Sequence, residues 1–329
     1  MSDLLQVTKL VKHYDGRRGL VGRLTGNPGS IVQAVNGVDF SIRRGETLGL
    51  IGESGCGKST LGRSVLRLHN LTSGKVEFDG KNITTMSDGE LKPWRRHMQI
   101  VFQDPYASLN PRMTVGEIVS KPLRVHQMAN GAEQRARVAA VLDRVGLNAN
   151  HVNRYPHQFS GGQRQRIGIA RSLILNPKFI VCDEPVSALD VSIQAQIIEL
   201  LEELKQDLDL TYLFISHDIS VIGYVSDRIA VMYLGKIVEI GVTDNILNAP
   251  RHPYTQALLS AVPRVGASGN SKHRIRLTGD LPSPVNPPQG CKFHTRCPLA
   301  TEICRHKEPE LQPGTSSSTS VACHHAASG

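Results

Sequence analysis

Apolar residues along this chain gather in short β-branched runs separated by stretches with helical spacing. Five runs stand out: ETLGLIG from Glu46, MQIVFQ from Met98, KFIVCDE from Lys178, TYLFIS from Thr211 and RIAVMYL from Arg228. Such runs alternating with helices predict a parallel sheet buried on both faces, and hence an α/β fold. The clearest helix follows Val191, where Ile193, Ile197, Leu200, Leu201, Leu204 and Leu208 form an apolar stripe with Glu199, Glu202, Glu203 and Lys205 between them. One face of that helix packs on the sheet. From about Asp88 to Pro156 the pattern changes to helix formers and turn residues, including EQRARVAAVLDRVGL, which predicts an inserted helical subdomain. After Gly241 the strand signal ends. Pro282, Pro284, Pro287 and Pro288 mark loop-rich chain, and TSSSTS from Thr315 predicts a flexible stretch. The expected division is a sheet domain over 1–241, with the insert at about 88–156, followed by a C-terminal extension over 242–329.

Composition narrows the classes. With 329 residues, 40% of them hydrophobic, the chain can bury a full core. No apolar run reaches the length of a membrane span, and MSDLLQVTKLVKHYDGRR lacks the features of a secretory signal, so a cytoplasmic protein is expected. The net charge of +9 suits phosphorylated or other anionic partners. Lysines and arginines are dispersed, however, and only 5% of residues are aromatic, which argues against nucleic acid as a partner. The charge therefore reads as solubility and phosphate handling.

Two motifs carry the chemistry. GESGCGKS, from Gly52 to Ser59, follows a strand and precedes the helix TLGRSVLRL, as a phosphate-binding P-loop requires. Gly52, Gly55 and Gly57 let the backbone amides of Glu53, Ser54, Cys56 and their neighbours through Thr60 converge on phosphate oxygens. Lys58 is placed to reach the β- and γ-phosphates, and Ser59 to offer its hydroxyl to magnesium. FIVCDEP, from Phe179, ends a buried strand in two carboxylates, which implies a cation or polar site. Asp183 is the candidate magnesium holder through water, and Glu184 the candidate group that polarises an attacking water.

At FSGGQRQRIGIARSL, from Phe159, the sequence resembles the ATP-binding cassette (ABC) family of transporter ATPases. Four further marks follow that pattern: Gln103 in QIVFQDP is similar to the Q-loop, Ser187 to Asp190 to the D-loop, His217 in FISHD to the switch histidine, and Tyr14 in VKHYDG to the aromatic that stacks on adenine. The insert GRRGLVGRLTGNPGSIVQA after Tyr14 departs from the pattern. The resemblance implies a RecA-like core using ATP and Mg2+, with Gln103 also touching the metal, and two ATPases paired head to tail. Phe159, Ser160, Gly161, Gly162 and Gln163 would then meet ATP held by the partner, and Asp190 would lie at the dimer contact. SLNPRMTVGEIVSKPL, CDEPVSALDVSIQAQ, RHPYTQALLSAVP and LPSPVNPPQGC resemble the ATPase subunits of bacterial dipeptide and oligopeptide importers, a group that also serves nickel, opines and glutathione. Implied partners are a second, different ATPase chain, two membrane permeases and an extracytoplasmic solute-binding protein, with this chain peripheral on the cytoplasmic face of the membrane. The other class is a cassette ATPase not coupled to transport. Such proteins usually carry two cassettes or long coiled-coil inserts, and neither is present here.

Cysteines pose a separate question. Cys56 and Cys182 fall in tight structural places, whereas Cys291, Cys297, Cys304 and Cys323 share the C-terminal extension. Their spacing lacks the close pairs of ordinary zinc sites, but four thiolates meet the ligand count of an iron–sulfur cluster. Zinc and unligated thiols are the alternatives, with His294, His324 and His325 as substitute ligands. The resemblance to peptide-importer ATPases implies a [4Fe-4S] cluster.

Overall fold

The five apolar runs form five adjacent strands of one sheet in the computed structural model, which describes residues 2–15, 31–261, 275–313 and 319–326. Its strands are β1 (Asp3–Asp15), β2 (Ile31–Arg43), β3 (Thr47–Ile51), β4 (Ser73–Phe78), β5 (Lys81–Asn82) and β6 (Met98–Val101). β7 (Phe179–Asp183), β8 (Thr211–Ile215), β9 (Arg228–Tyr233), β10 (Lys236–Val242), β11 (Gln312–Pro313) and β12 (Ser320–Val321) complete them. The main sheet runs β11-β12-β10-β9-β3-β8-β7-β6, parallel from β9 to β6. β3, β7 and β8 are buried along their whole length, which is why they read as unbroken apolar runs.

A second, antiparallel sheet, β2-β1-β4-β5, lies beside the first. The two enclose a core in which Leu5, Leu10, Val35, Ile42 and Phe78 meet Leu50, Leu61, Phe179 and Ile215. α1 (Lys58–Val65) packs inside this core, and on the other side of the main sheet lie α2 (Val115–Val125), α3 (Gly131–Arg144), α4 (Gly161–Leu173), α5 (Val191–Leu208) and α6 (Pro253–Ser260). The stripe expected after Val191 is α5. Ile197, Leu200, Leu201 and Leu204 are buried along with Ile198, while Ile193 and Leu208 pack from its edges.

Three expectations need correction. β6 belongs to the main sheet, so the stretch from Asp88 to Pro156 is interrupted by a core strand, with a helix over Asp88–Arg95 before it and the rest of the helical part after it. The sheet does not end near Gly241, because β12 pairs with β10 and β11 with β12. These strands are two residues long, too short to leave a periodic signal. Nor is the end of TSSSTS loose: Thr319 is buried and Ser320 lies in β12. The rest of that run, like residues 16–30 of the insert after Tyr14, lies outside the described residues.

Candidate active site

The carboxyl ends of four adjacent parallel strands supply the polar groups, the usual place for a ligand in such a sheet. β3 leads into the loop Gly52–Gly57 and then α1, whose first residues are Lys58 and Ser59. The loop is seated tightly. Gly57 has a φ of 107°, and a Cβ there would fall 2.1 Å from the carbonyl oxygen of Ala34 on β2. Only glycine meets both demands. The buried Lys58 ammonium donates to the carbonyl oxygens of Gly52 (2.7 Å) and Glu53 (3.0 Å), so its charge sits inside the loop.

β7 ends in Asp183, a fully buried carboxylate. The Ser59 hydroxyl donates to its Oδ1 at 2.7 Å, and Arg63, one turn further along α1, donates to its Oδ2 at 3.2 Å. A buried carboxylate without such partners would be strongly destabilising. Hydroxyl and carboxylate oxygens at the foot of a phosphate loop are hard donors that fit magnesium, which keeps several of its waters.

Glu184 follows in a left-handed conformation with φ of 48°. Its amide donates to the Ile215 carbonyl at 3.0 Å, and its own carbonyl accepts the Ser187 hydroxyl at 3.2 Å, so its main chain is held on both sides. One carboxylate oxygen, Oε2, accepts from Gln103 Nε2 at 2.8 Å and lies 3.4 Å from His217 Nδ1. Gln103 comes from beyond β6 and His217 from beyond β8, so three neighbouring strands deliver these side chains to one oxygen. Next to each, Asp104 and Asp218 cap the following helical turns through their carboxylates. Those turns fix where Gln103 and His217 leave the backbone.

Among the described residues, none of the remaining sequence candidates hydrogen-bonds to Glu184 Oε2. Ser160 is the N-cap of α4 in a reciprocal capping box with Gln163, and Phe159 is buried against His151. Among the described residues, no hydrogen bond of Ser160–Gln163 reaches the loop Gly52–Gly57. Gly161 and Gly162 instead abut Leu189 and Ile193 at the start of α5. Asp190 precedes α5 but makes no side-chain capping bond, so capping does not account for it. Tyr14 sits at the end of β1 opposite Val32, two residues from Ala34 under the loop, with His69 edge-on to its ring and Lys12 over it.

Cys56 and Cys182 are buried and free, and burial raises both thiols, as the structural reading expects. Of the C-terminal thiols, Cys291, Cys297 and Cys323 are raised, Cys291 to about 11. Burial is the first cause in each case, and the charges of the other thiols add to it. The His325 amide donates to the Cys323 sulfur at 3.4 Å, a contact that suits bound thiolate. Among the described residues, however, no three His, Cys, Asp or Glu side chains converge closely enough to grip one metal ion.

Several participants escaped the sequence reading. Arg63 had a faint signal, standing four residues after Ser59 on the same face of α1. Tyr254 and Arg296 had none. The Tyr254 hydroxyl accepts the Glu53 amide at 2.8 Å across 201 residues, and Arg296 grips the Glu53 carboxylate with both guanidinium nitrogens across 243.

Comparison with known proteins shows the family of this chain. The family model described as "ABC transporter" matches residues 35–187, and "Oligopeptide/dipeptide transporter, C-terminal region" matches residues 238–304. The oligopeptide transport ATP-binding protein AppF of Bacillus subtilis (strain 168) is 53% identical, over 98% of this chain and 97% of its own length. The dipeptide transport ATP-binding protein DppF of Haemophilus influenzae is 48% identical over 98% and 96%. Among solved structures, the ATP-binding cassette MJ0796, dimeric with ADP and Pi, superposes with a TM-score of 0.63 at 30% identity, covering 73% of this chain and 98% of that one.

Proposed function

The chain belongs to the ABC transporter family of ATP-binding subunits, in its oligopeptide/dipeptide branch, and we propose that it hydrolyses ATP to drive peptide import through the residues gathered at the carboxyl end of its central sheet. The observation that carries this reading is the single oxygen of Glu184 shared by Gln103 and poised beside His217. A fixed carboxylate with one oxygen aimed at two polar groups from flanking strands is built to orient a water and take its proton.

Roles follow from position. The amides of Gly52–Thr60 and the Lys58 ammonium bind the phosphates, and Tyr14 at the hairpin end stacks on the adenine. Ser59, Asp183 and Gln103 would hold Mg2+, which when bound neutralises charge between the β- and γ-phosphates. Glu184 accepts the proton of the attacking water, and His217 hydrogen-bonds the γ-phosphate side of the site. Gln103, at the junction between β6 and the helices that follow, links the state of the site to that lobe.

Ser160–Gln163 make no hydrogen bond to the chain's own phosphate loop among the described residues, and their amides open α4. That arrangement favours a partner's ATP as their ligand, with Asp190 at the contact between the two ATPases. Loss of the γ-phosphate then loosens the pair, which is the stroke passed to the permeases. No helix among the described residues is long and apolar enough to cross a membrane. The different ATPase partner, the two permeases and the extracytoplasmic binding protein are part of this proposal. So is a peripheral position on the cytoplasmic face of the membrane.

For the C-terminal thiols we favour an iron–sulfur cluster, [4Fe-4S], with zinc as the alternative. A single zinc needs four sulfurs within about 3.8 Å of one another, set by Zn–S bonds of about 2.3 Å. A cluster spreads its ligands over several irons and tolerates a wider set. Iron with acid-labile sulfide in anaerobically purified protein supports the cluster, and stoichiometric zinc without iron supports the alternative. The transport reading is tested by purification from membranes through a tag on this chain. Recovery with two hydrophobic subunits and ATPase activity is expected, and recovery of the chain alone would oppose it.

A further inference from the structure

Glu53 stands second in the phosphate loop, and each of its polar groups is engaged. Its carbonyl accepts from the Lys58 ammonium at 3.0 Å and from the Cys56 amide at 3.2 Å, both within the loop. Its other two groups are held from the C-terminal region. The Glu53 amide donates to the Tyr254 hydroxyl at 2.8 Å, and the Glu53 carboxylate receives two parallel bonds from Arg296, at 2.8 and 3.1 Å.

Both outside partners are themselves fixed. Tyr254, on α6, is fully buried, and its ring packs 4.7 Å from Tyr233 at the end of β9 and 5.5 Å from Phe293. Arg296 is only 9% exposed and lies beside the same Tyr233 ring. A bidentate guanidinium–carboxylate pair, here with the guanidinium largely covered, is among the more directional contacts a protein can make. Among the described residues, the ionic partner of Glu53 is Arg296, in the extension.

We infer that Tyr254 and Arg296 are positioning residues for nucleotide binding, holding the entry of the phosphate loop in the shape that lets Lys58 and the following amides meet phosphates. The inference rests on reading Gly52–Thr60 as the nucleotide-binding loop. It assigns the C-terminal region a direct part in the ATPase: the loop is shaped from outside the sheet domain, and whatever orders the segment around Arg296 also orders the loop.

The test uses the full chain and MgATP. Tyr254→Phe removes one hydroxyl from a buried ring. Arg296→Gln removes the charge and the fork, and Arg296→Lys restores the charge alone. Loss of one such hydrogen bond should weaken equilibrium MgATP binding by about 2- to 12-fold in Tyr254→Phe. Arg296→Gln should lose at least as much, and Arg296→Lys should recover part of it. KM should rise more than kcat falls, and melting temperatures without nucleotide should stay within a few degrees of the parent. Lys58→Ala serves as the control and should abolish binding. Wild-type affinity in both Tyr254→Phe and Arg296→Gln, with Lys58→Ala inactive, would overturn the inference and leave the loop assignment standing. Affinity lost only in step with melting temperature, with no recovery in Arg296→Lys, would also overturn it. Wild-type affinity in Lys58→Ala would overturn the loop assignment and the inference with it.

Discussion

Replacing Glu184 by Gln alters the chemistry of one side chain and little else. The amide has the same shape, and its oxygen can still accept from Gln103 Nε2, the 2.8 Å bond now made by the carboxylate. The left-handed backbone at φ 48° is as costly for Gln as for Glu, and the bonds from the Ser187 hydroxyl and to the Ile215 carbonyl involve only the main-chain groups of Glu184 and are kept. The lost property is the ability to take a proton. General-base catalysis is worth about 10²- to 10⁴-fold, or about 2.7–5.4 kcal/mol of transition-state stabilisation. Phosphate release should therefore fall by about two to four orders of magnitude, while ATP affinity stays near that of the parent. Single-turnover phosphate release and equilibrium nucleotide binding, measured on the same preparation, separate the two. Near-parental turnover would refute the base assignment. Parallel loss of binding and turnover would refute it too, by making Glu184 a structural residue.

Other consequences can be checked more simply. His217→Ala should also collapse turnover with ATP binding kept, read by the same pair of assays; undiminished phosphate release would remove it from the site. Gly55 and Gly57 both have positive φ, but a Cβ at Gly55 meets nothing within 4 Å whereas one at Gly57 strikes a backbone oxygen. Gly55→Ala should then cost about 1–2 kcal/mol of stability without nucleotide and Gly57→Ala clearly more; equal melting temperatures would contradict the packing of β2 under the loop. His252 is buried with its Nδ1 accepting the Tyr254 amide, and burial pushes it down to about 3 from 6.5. Unfolding below 6.5 takes up a proton that the folded His252 refuses, so its contribution is intact above 6.5 and declines by about 1.4 kcal/mol per unit as pH falls towards 3. His252→Asn should flatten the acid limb of a denaturation-versus-pH curve, and an unchanged slope would show that His252 does not titrate in this way.

How much of this was legible in the chain depended on distance along it. The P-loop, Asp183–Glu184 and the strands beneath them are local patterns: an apolar run that must be buried, then a polar group at its end. The three residues around Glu184 Oε2 were each identifiable, but their meeting follows from the order β8-β7-β6, which no single run encodes. The N-terminal sheet is missing from the five apolar runs. β1 alternates irregularly because its register with β2 shifts at several points, which blurs the period of two. The C-terminal region was the hardest. Its prolines and serines suggest loops, and its strands are two residues long, so its attachment through Arg296, Phe293 and Tyr254 exists only in three dimensions.

ATP hydrolysis at this site is expected to drive peptide movement. Its most direct measurement reconstitutes the chain with its copurifying subunits in liposomes, adds the solute-binding protein with and without peptide on the outer face, and follows ATP hydrolysis together with lumenal peptide. Peptide-loaded binding protein should raise ATP turnover and carry peptide inward, with both signals lost in Glu184→Gln. ATP turnover indifferent to the loaded binding protein, with no peptide in the lumen, would contradict it.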